Sequence, residues 1–459
     1  MARGRFERRK SKASLLILLV IILLLAAVAI ITKYRAQESE ETTPPPFTAT
    51  TATQPTTTAP PPTTTAEPTI ETTVVTEPFV VSTATIGVTG DVLIHSPVYN
   101  AAYKGNGEYD FNDIFTYISE YYERYDFMVA NLEVTLSGAN RGYSGYPTFN
   151  CPDAIVDALE NAGVDMLLNA NNHTYDHGNF GFTRTQEVLL EKEMPYLGTR
   201  LSEEIPRYIV QDINGIQVGM VSYTYETGRT SDGRKMLNGI SVSSEDSKLI
   251  NGFTYSNLDA FYEELESILI DMEADGADAT MVYIHWGDEY QLRANDYQKK
   301  IAKNLCDLGV DIIVGGHPHV IQPFETLTSD DGHQTYCIYS VGNAISNQRR
   351  TNISSAPNGH VEDGMIFGVE FQQWNDGSVN ISGISILPTW VNKEWRSSGN
   401  MYRIIPLDTD VPVWDCYDVS DPSYTYGSYK RTMAIVGEGL NACREAFSLA
   451  PMPSVHEPQ

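Results

Sequence analysis

Apolar and polar positions along this chain fall into three regimes. Residues 13–32, ASLLILLVIILLLAAVAIIT, run uncharged for 20 residues, the length a helix needs to cross the hydrocarbon core of a bilayer. Residues 42–78 are mostly Thr, Pro and Ala. Such a segment buries too little apolar area to offset its ordering entropy, and its prolines keep it extended. From residue 83 onward, short β-rich runs alternate with stretches of helical period.

This last regime repeats one unit. Residues 84–91, ATIGVTGD, predict a strand ending in Gly90-Asp91, and residues 126–133, DFMVANLE, predict another ending in Asn131-Leu132-Glu133. A helix at 153–162, a stop at Gly163 and a strand at 164–169 lead to Asn171, Asn172 and His173. A further helix precedes a strand at 280–284 that ends at His285. A helix at 296–308, Gly309 and a strand at 310–314 lead to GGHPHVIQPFE, with His317 and His319.

Strands alternating with helices at this spacing imply a mostly parallel sheet covered on both faces. In such sheets ligands bind outside the carboxyl ends of the strands. Five predicted strands place Asp, Asn, Glu or His at that end, which a set of core-packing histidines would not do. Imidazole nitrogens with carboxylate and amide oxygens, and no thiolate, suit a divalent ion such as Mn, Fe, Zn or Co. Two ions about 3.5–4 Å apart can hold an ester phosphate and activate a water between them.

Charge assigns sides to the membrane. Residues 1–12 carry Arg3, Arg5, Arg8, Arg9, Lys10 and Lys12 against Glu7, and acids follow the apolar segment at Glu38, Glu40 and Glu41. The positive-inside rule then leaves the N-terminus cytoplasmic and the bulk of the chain outside. The competing reading is a signal peptide cleaved after Ala27-Val28-Ala29; both readings export the protein. The formal net charge is −28, with about +7 in residues 1–35, so about −35 lies beyond them. That balance argues against nucleic-acid binding. Cys151, Cys306, Cys337, Cys416 and Cys443 are too few and scattered for a disulfide-built fold or a CxxC metal site. Cys306 and Cys337 sit in apolar contexts, and Cys416 could pair with Cys443.

The motifs GDVLIH, NLEVTL, ANNHTYDHG, IHWGDEY, GGHPHVIQPFE and YSVGNAIS, in this order, resemble those of the CapA-type capsule-biosynthesis proteins, linked to poly-γ-glutamate. These belong to the calcineurin-like metallophosphoesterase superfamily. The resemblance covers residues 83–406 and implies a four-layer α/β/β/α sandwich with two divalent ions, Mn, Fe or Zn. It implies that Asp91 and His319 bind one ion, and that Asn172, His285 and His317 bind the other. His173 would contact substrate and protonate the leaving oxygen, work that suits a histidine near neutral pH. Two positions depart from the superfamily pattern. Leu93 stands where a metal-binding histidine is usual, with His95 the nearest candidate. Asn131 and Glu133 replace a bridging aspartate, and the charge of Glu133 suits a bridge between cations. Asn343, in YSVGNAIS, is a further accessory candidate.

The organisation expected is a cytoplasmic tail at 1–12, a transmembrane helix at 13–32, an extracellular stalk at 33–82, a metallophosphoesterase-like domain at 83–410 and a C-terminal extension at 411–459. The domain is expected outside a bacterial membrane, on an anionic surface polymer or its phosphorylated precursor, beside polymer synthase or export subunits. A non-catalytic metal-binding assembly factor is the alternative. Three further segments have two readings each. GYSGYPTFNCP at 142–152 lines the substrate groove or packs, and Asp288-Glu289 supports His285 or is solvated. The polar stretch 228–253 is a lid or a disordered loop.

Overall fold

The computed structural model describes residues 77–356, 358–397, 399–409, 417–450 and 452. The expected membrane-spanning segment, nearly all of the stalk and Cys416 lie outside these residues. Among the described residues, no helix is long and apolar enough to cross a membrane.

Five strands carry the residues singled out above: β1 (Val80–Val92), β2 (Phe127–Leu132), β3 (Met166–Leu168), β4 (Ala279–His285) and β5 (Ile312–Gly316). They do not share one sheet. β1, β2 and β3 run parallel in an eight-stranded sheet, and β4 and β5 run parallel in a seven-stranded one. Both sheets are mixed, since Asp363–Trp374 pairs antiparallel with β1 and Phe324–Thr328 pairs antiparallel with Gln334–Ile338. The single, mostly parallel sheet expected from the spacing is therefore corrected to two.

The reason lies in the period-two alternation of side chains along each strand. Phe127 and Val129 of β2 face the second sheet, in one apolar cluster with Ile86 and Val88 of β1, Met281 and Tyr283 of β4 and Ile312 and Val314 of β5. Met128, Ala130 and Leu132 face the other way, onto Ile155 and Leu159 of helix α1 (Ala154–Asn161) and Leu189 of α2 (Gly178–Glu191). Val282 and Ile284 of β4 face Leu265 and Ile268 of α3 (Leu258–Ala274) and Ile301 and Leu305 of α4 (Asp296–Asp307). Each sheet thus has one face covered by helices and one by the other sheet. The layers run helix, sheet, sheet, helix.

Two boundaries move. β1 begins at Val80, which pairs with Trp374, so the last residues assigned to the stalk belong to the first sheet. The tail holds helix α5 (Ser423–Ala446), whose Val436, Leu440 and Cys443 enter the cluster between the sheets. Its described residues belong to the domain rather than extend from it. Cys151, Cys306, Cys337 and Cys443 are all buried, and the pairing of Cys443 with Cys416 falls outside the described residues. The stretch 228–253 is ordered: its core is a hairpin of Lys235–Leu237 and Ile240–Ser241, followed by a short helix Ser244–Ser247.

Candidate metal centre

The two sheets pack face to face, and side chains from the carboxyl ends of their strands converge on one seam. In β1 the pairing with β2 is regular to Val88 and then shifts register before Asp91. Gly90 allows this, because a Cβ there would lie 2.0 Å from the carbonyl oxygen of Gly342. On the second sheet, Asn295 and Gln298 form a reciprocal capping box that starts α4, and Gly309 stops it at φ +83°. The chain then enters β5 and leaves it at Gly316, where a Cβ would meet an Asp91 carboxylate oxygen at 3.1 Å. His317 and His319 follow with φ of +94° and +56°, a region that non-glycine residues seldom adopt and that clusters at functional sites.

Glu133 lies at the middle of the seam. It is 0% exposed, and neither of its carboxylate oxygens has a hydrogen-bond partner among the described residues. An ionised carboxylate buried without donors is costly unless a cation meets it. Burial, reinforced by the neighbouring charge of Asp91, pushes its carboxyl well above the usual range. Its Oε1 lies 3.4 Å from His285 Nε2 and 3.8 Å from His319 Nε2. Two buried groups of metal-ligating residues share it: Glu133 with His285 and His317, and Glu133 with Asp91 and His319, each with ligand atoms within 4.8 Å of one another. Carboxyl oxygens without donors, ringed by imidazole nitrogens, fit a divalent cation on either side.

The histidine-rich side is built for coordination. His317 Nδ1 is buried and has no hydrogen-bond partner among the described residues, while its Nε2 lies 3.1 Å from the Tyr225 hydroxyl, which fixes the ring. His285 Nε2 lies 2.8 Å from Asn172 Oδ1. Burial lowers His285 to about 3 and holds His317 well below its ordinary value, so both rings are neutral ligands at physiological pH. On the other side Asp91 already accepts from Asn131 Nδ2 at 2.7 Å and from the His317 amide at 3.3 Å. His319 Nδ1 lies 3.2 Å from Asp91 Oδ2 and 3.1 Å from Asn343 Oδ1, leaving His319 Nε2 toward Glu133. Burial alone would raise Asp91; His319, the nearby His285 and the Asn131 amide together outweigh it and hold the carboxyl below its usual value.

Next to this centre stands His173, in the turn between β3 and α2. Its Nδ1 donates to Asp176 Oδ2 at 2.7 Å, and its ring packs edge-on against Phe149 with centroids 4.8 Å apart. Its Nε2 has no hydrogen bond to the described residues. Asp176 also accepts the Phe149 amide at 2.6 Å. Asn171 braces the turn: its Nδ2 donates to Leu132 O and Asn131 Oδ1, and its Oδ1 accepts the His173 amide.

The structure brings together Asp91, Glu133, Asn172, His173, His285, His317 and His319. The accessory candidates divide. Asn343 contacts His319, and Asn131 is an amide tie between Asp91 and Asn171. His95 Nδ1 lies 3.1 Å from Leu93 O and accepts the Asn347 amide at 3.3 Å, and burial lowers it to about 4. Leu93 is packed in the outer apolar cluster of the first sheet. The loop at 142–152 lines the centre through Phe149, which also meets His95 at 5.2 Å. Asp288 and Glu289 are exposed, and Asp288 accepts from Asn295; of the two readings for this pair, the structure has the solvated one. Sequence reasoning missed Asp176, Tyr225 and Asn238. The spacing His-x-x-Asp in 173–176 was a readable signal for the first, and Asn-Gly at 238–239 for the last. Tyr225 had none.

A family model described as "Bacterial capsule synthesis protein PGA_cap" matches residues 85–348, a span that holds every residue of the centre. The chain is 26% identical over 286 residues to the capsule biosynthesis protein CapA of Bacillus anthracis, covering 61% of this chain and 64% of that protein. It is 26% identical over 241 residues to the PGA biosynthesis protein CapA of Bacillus subtilis (strain 168), covering 52% of this chain and 57% of that one. The matches thus span less than two thirds of each relative. Among solved structures, Haemophilus influenzae NAD nucleotidase aligns over 80% of this chain and 59% of its own, with 11% identity and a TM-score of 0.41.

Proposed function

The chain belongs to the bacterial capsule synthesis protein PGA_cap family, and from that membership and the donor set around Glu133 we propose a metal-dependent phosphoester hydrolase of the metallophosphoesterase type. It acts in making or exporting a capsular polymer of the poly-γ-glutamate kind. The observation that carries this reading is the shared, buried, donor-free carboxylate of Glu133 between two ligand groups. Asp91, Glu133 and His319 would hold one divalent ion; Glu133, Asn172, His285 and His317 would hold the other. Bound there, two such ions supply positive charge to the phosphoryl oxygens and make a water acidic enough to attack at neutral pH.

The chain's own residues do the rest. As the new P–O bond forms and the bond to the leaving oxygen breaks, His173 gives its Nε2 proton to the departing alkoxide. Asp176, on Nδ1, fixes the tautomer and stabilises the ring's positive charge before that transfer. Such a proton transfer contributes roughly 10²–10⁴ in rate. His173→Asn should lower turnover by about that factor on alkyl phosphates, and by less on nitrophenyl phosphate, whose leaving group needs little protonation, with metal content unchanged. Equal losses on both substrates would overturn the acid role.

The second reading is an assembly factor that holds an anionic polymer through metal. It is favoured by Asn131, whose amide fills the place of a bridging carboxylate and already donates to Asp91. A wild-type protein that binds metal but turns over no phosphoester would decide for it. On either reading we place the domain outside the cytoplasmic membrane, anchored through residues 13–32 with the N-terminus inside, where surface polymer, its precursors and the synthase or export subunits lie.

A further inference from the structure

We propose that Asn238, in the turn of the hairpin at 235–241, is a positioning residue for the His173–Asp176 pair; this rests on the hydrolase reading above. Asn238 Nδ2 donates to Asp176 Oδ1 at 2.7 Å and to Pro147 O at 2.8 Å. An amide has two N–H donors, and these two bonds use both. The 3.3 Å approach of the same nitrogen to His173 Nδ1 is therefore a packing contact. Asp176 ends with three donors from three segments: His173 from its own turn, the Phe149 amide from the loop at 142–152, and Asn238 from the hairpin. Asn238 holds Oδ1 while the Phe149 amide and His173 Nδ1 share Oδ2, so the carboxylate is held from both ends with Nδ1 on it and Nε2 turned to substrate.

Two observations show that this contact is built in. Asn238 and Gly239 have φ of +47° and +71°, the pair of left-handed residues that a two-residue hairpin turn requires and that Asn-Gly satisfies best. Asn at this position meets the turn's demand and the site's with one residue. The hairpin is also docked on the segment it serves. Leu237, Val242 and Ile250 share an apolar cluster with Tyr175 and Phe182, on either side of the turn into α2. Tyr175 and Asn179 both donate to Asp246 from the short helix that follows the hairpin. The stretch 228–253 thus acts as a fixed brace on the acid.

The test uses the full chain labelled with ¹⁵N-histidine, metal-free for spectroscopy and metal-loaded for turnover. Asn238→Gly keeps a turn-competent residue and removes the amide; Asn238→Asp keeps shape and turn preference but places a carboxylate against Asp176. The Nδ1–H signal of His173, assigned by its loss in His173→Asn, should exchange faster with solvent in Asn238→Gly and faster still in Asn238→Asp. Turnover of alkyl phosphates should fall about tenfold in the Gly variant, the scale of losing a hydrogen bond to a charged group. It should fall further in the Asp variant, with smaller losses on nitrophenyl phosphate and with KM and metal content unchanged. A wild-type His173 signal together with a wild-type ratio of alkyl to nitrophenyl turnover, in both variants, would overturn the proposal. If the wild-type protein hydrolyses no phosphoester, the hydrolase reading fails separately, and the signal alone decides whether Asn238 positions His173.

Discussion

On one side of Glu133 stand His285 and His317; on the other stand Asp91 and His319. The first pair offers neutral rings, one with a buried nitrogen that has no hydrogen-bond partner among the described residues. The second pair is already satisfied from within, since Asp91 takes hydrogen bonds from Asn131 and the His317 amide and lies against His319. The protein compensates the charge of Asp91 itself and leaves that of Glu133 to a cation. The two sides therefore differ in what an ion must displace. On the histidine side it fills unmet demand, whereas on the aspartate side it competes with bonds already made.

The sharpest way to break this comparison is to remove what both sides share. Glu133→Gln should abolish binding of both ions, read as metal equivalents per chain. It should also raise the melting temperature of metal-free protein at neutral pH, because it removes an acid that ionises freely in the unfolded chain but whose ionisation burial opposes in the fold. Retention of one full equivalent would show that the sides do not depend on Glu133 alike.

A second effect, on the order of 2 kcal/mol at pH 5, follows from His285. Its pKa lies near 3 when folded and near the ordinary 6.5 when unfolded. Between those values the unfolded chain binds the extra proton, so metal-free stability should fall as pH drops from about 6.5 toward 3. His285→Gln should flatten that dependence in denaturant titrations at pH 7 and pH 5. An unchanged slope would remove His285 from the account.

The smallest effect separates the sides. Tyr225→Phe removes only the hydroxyl at His317 Nε2, and outer partners of ligands are worth at least about tenfold in affinity. Metal titration should show the tighter of two binding steps weakened by roughly that factor, with the weaker step unmoved. If the weaker step shifts instead, the assignment of the tight side is reversed.

Some of this was legible in the sequence for a definite reason. Strand ends at Asp91, Glu133, His285 and His317 could be read because a short apolar β-rich run gives way there to a polar or ligating residue, at two of them through Gly90 and Gly315-Gly316. The helices at 154–161 and 296–307 could be read from period and glycine stop, the second also from its Asn295 cap. Asn-Gly at 238–239 signals a hairpin turn, but its place against Asp176 was not legible, because a polar stretch shows its position only through what it docks against.

What the sequence by itself determined is the set of ligand types, their attachment to strand ends and the charge of the whole. These are local properties, fixed by hydrophobic period and by the chemistry of each side chain. Only the tertiary structure decided that β1 to β3 and β4 to β5 belong to different sheets, because alternating burial tells a strand to hide both faces without saying what hides them. It also decided that Asp176, Tyr225 and Asn238 reach the centre. Their contacts join residues 3, 92 and 62 positions apart, and the two longer separations are closed by packing the layers together rather than by any pattern along the chain.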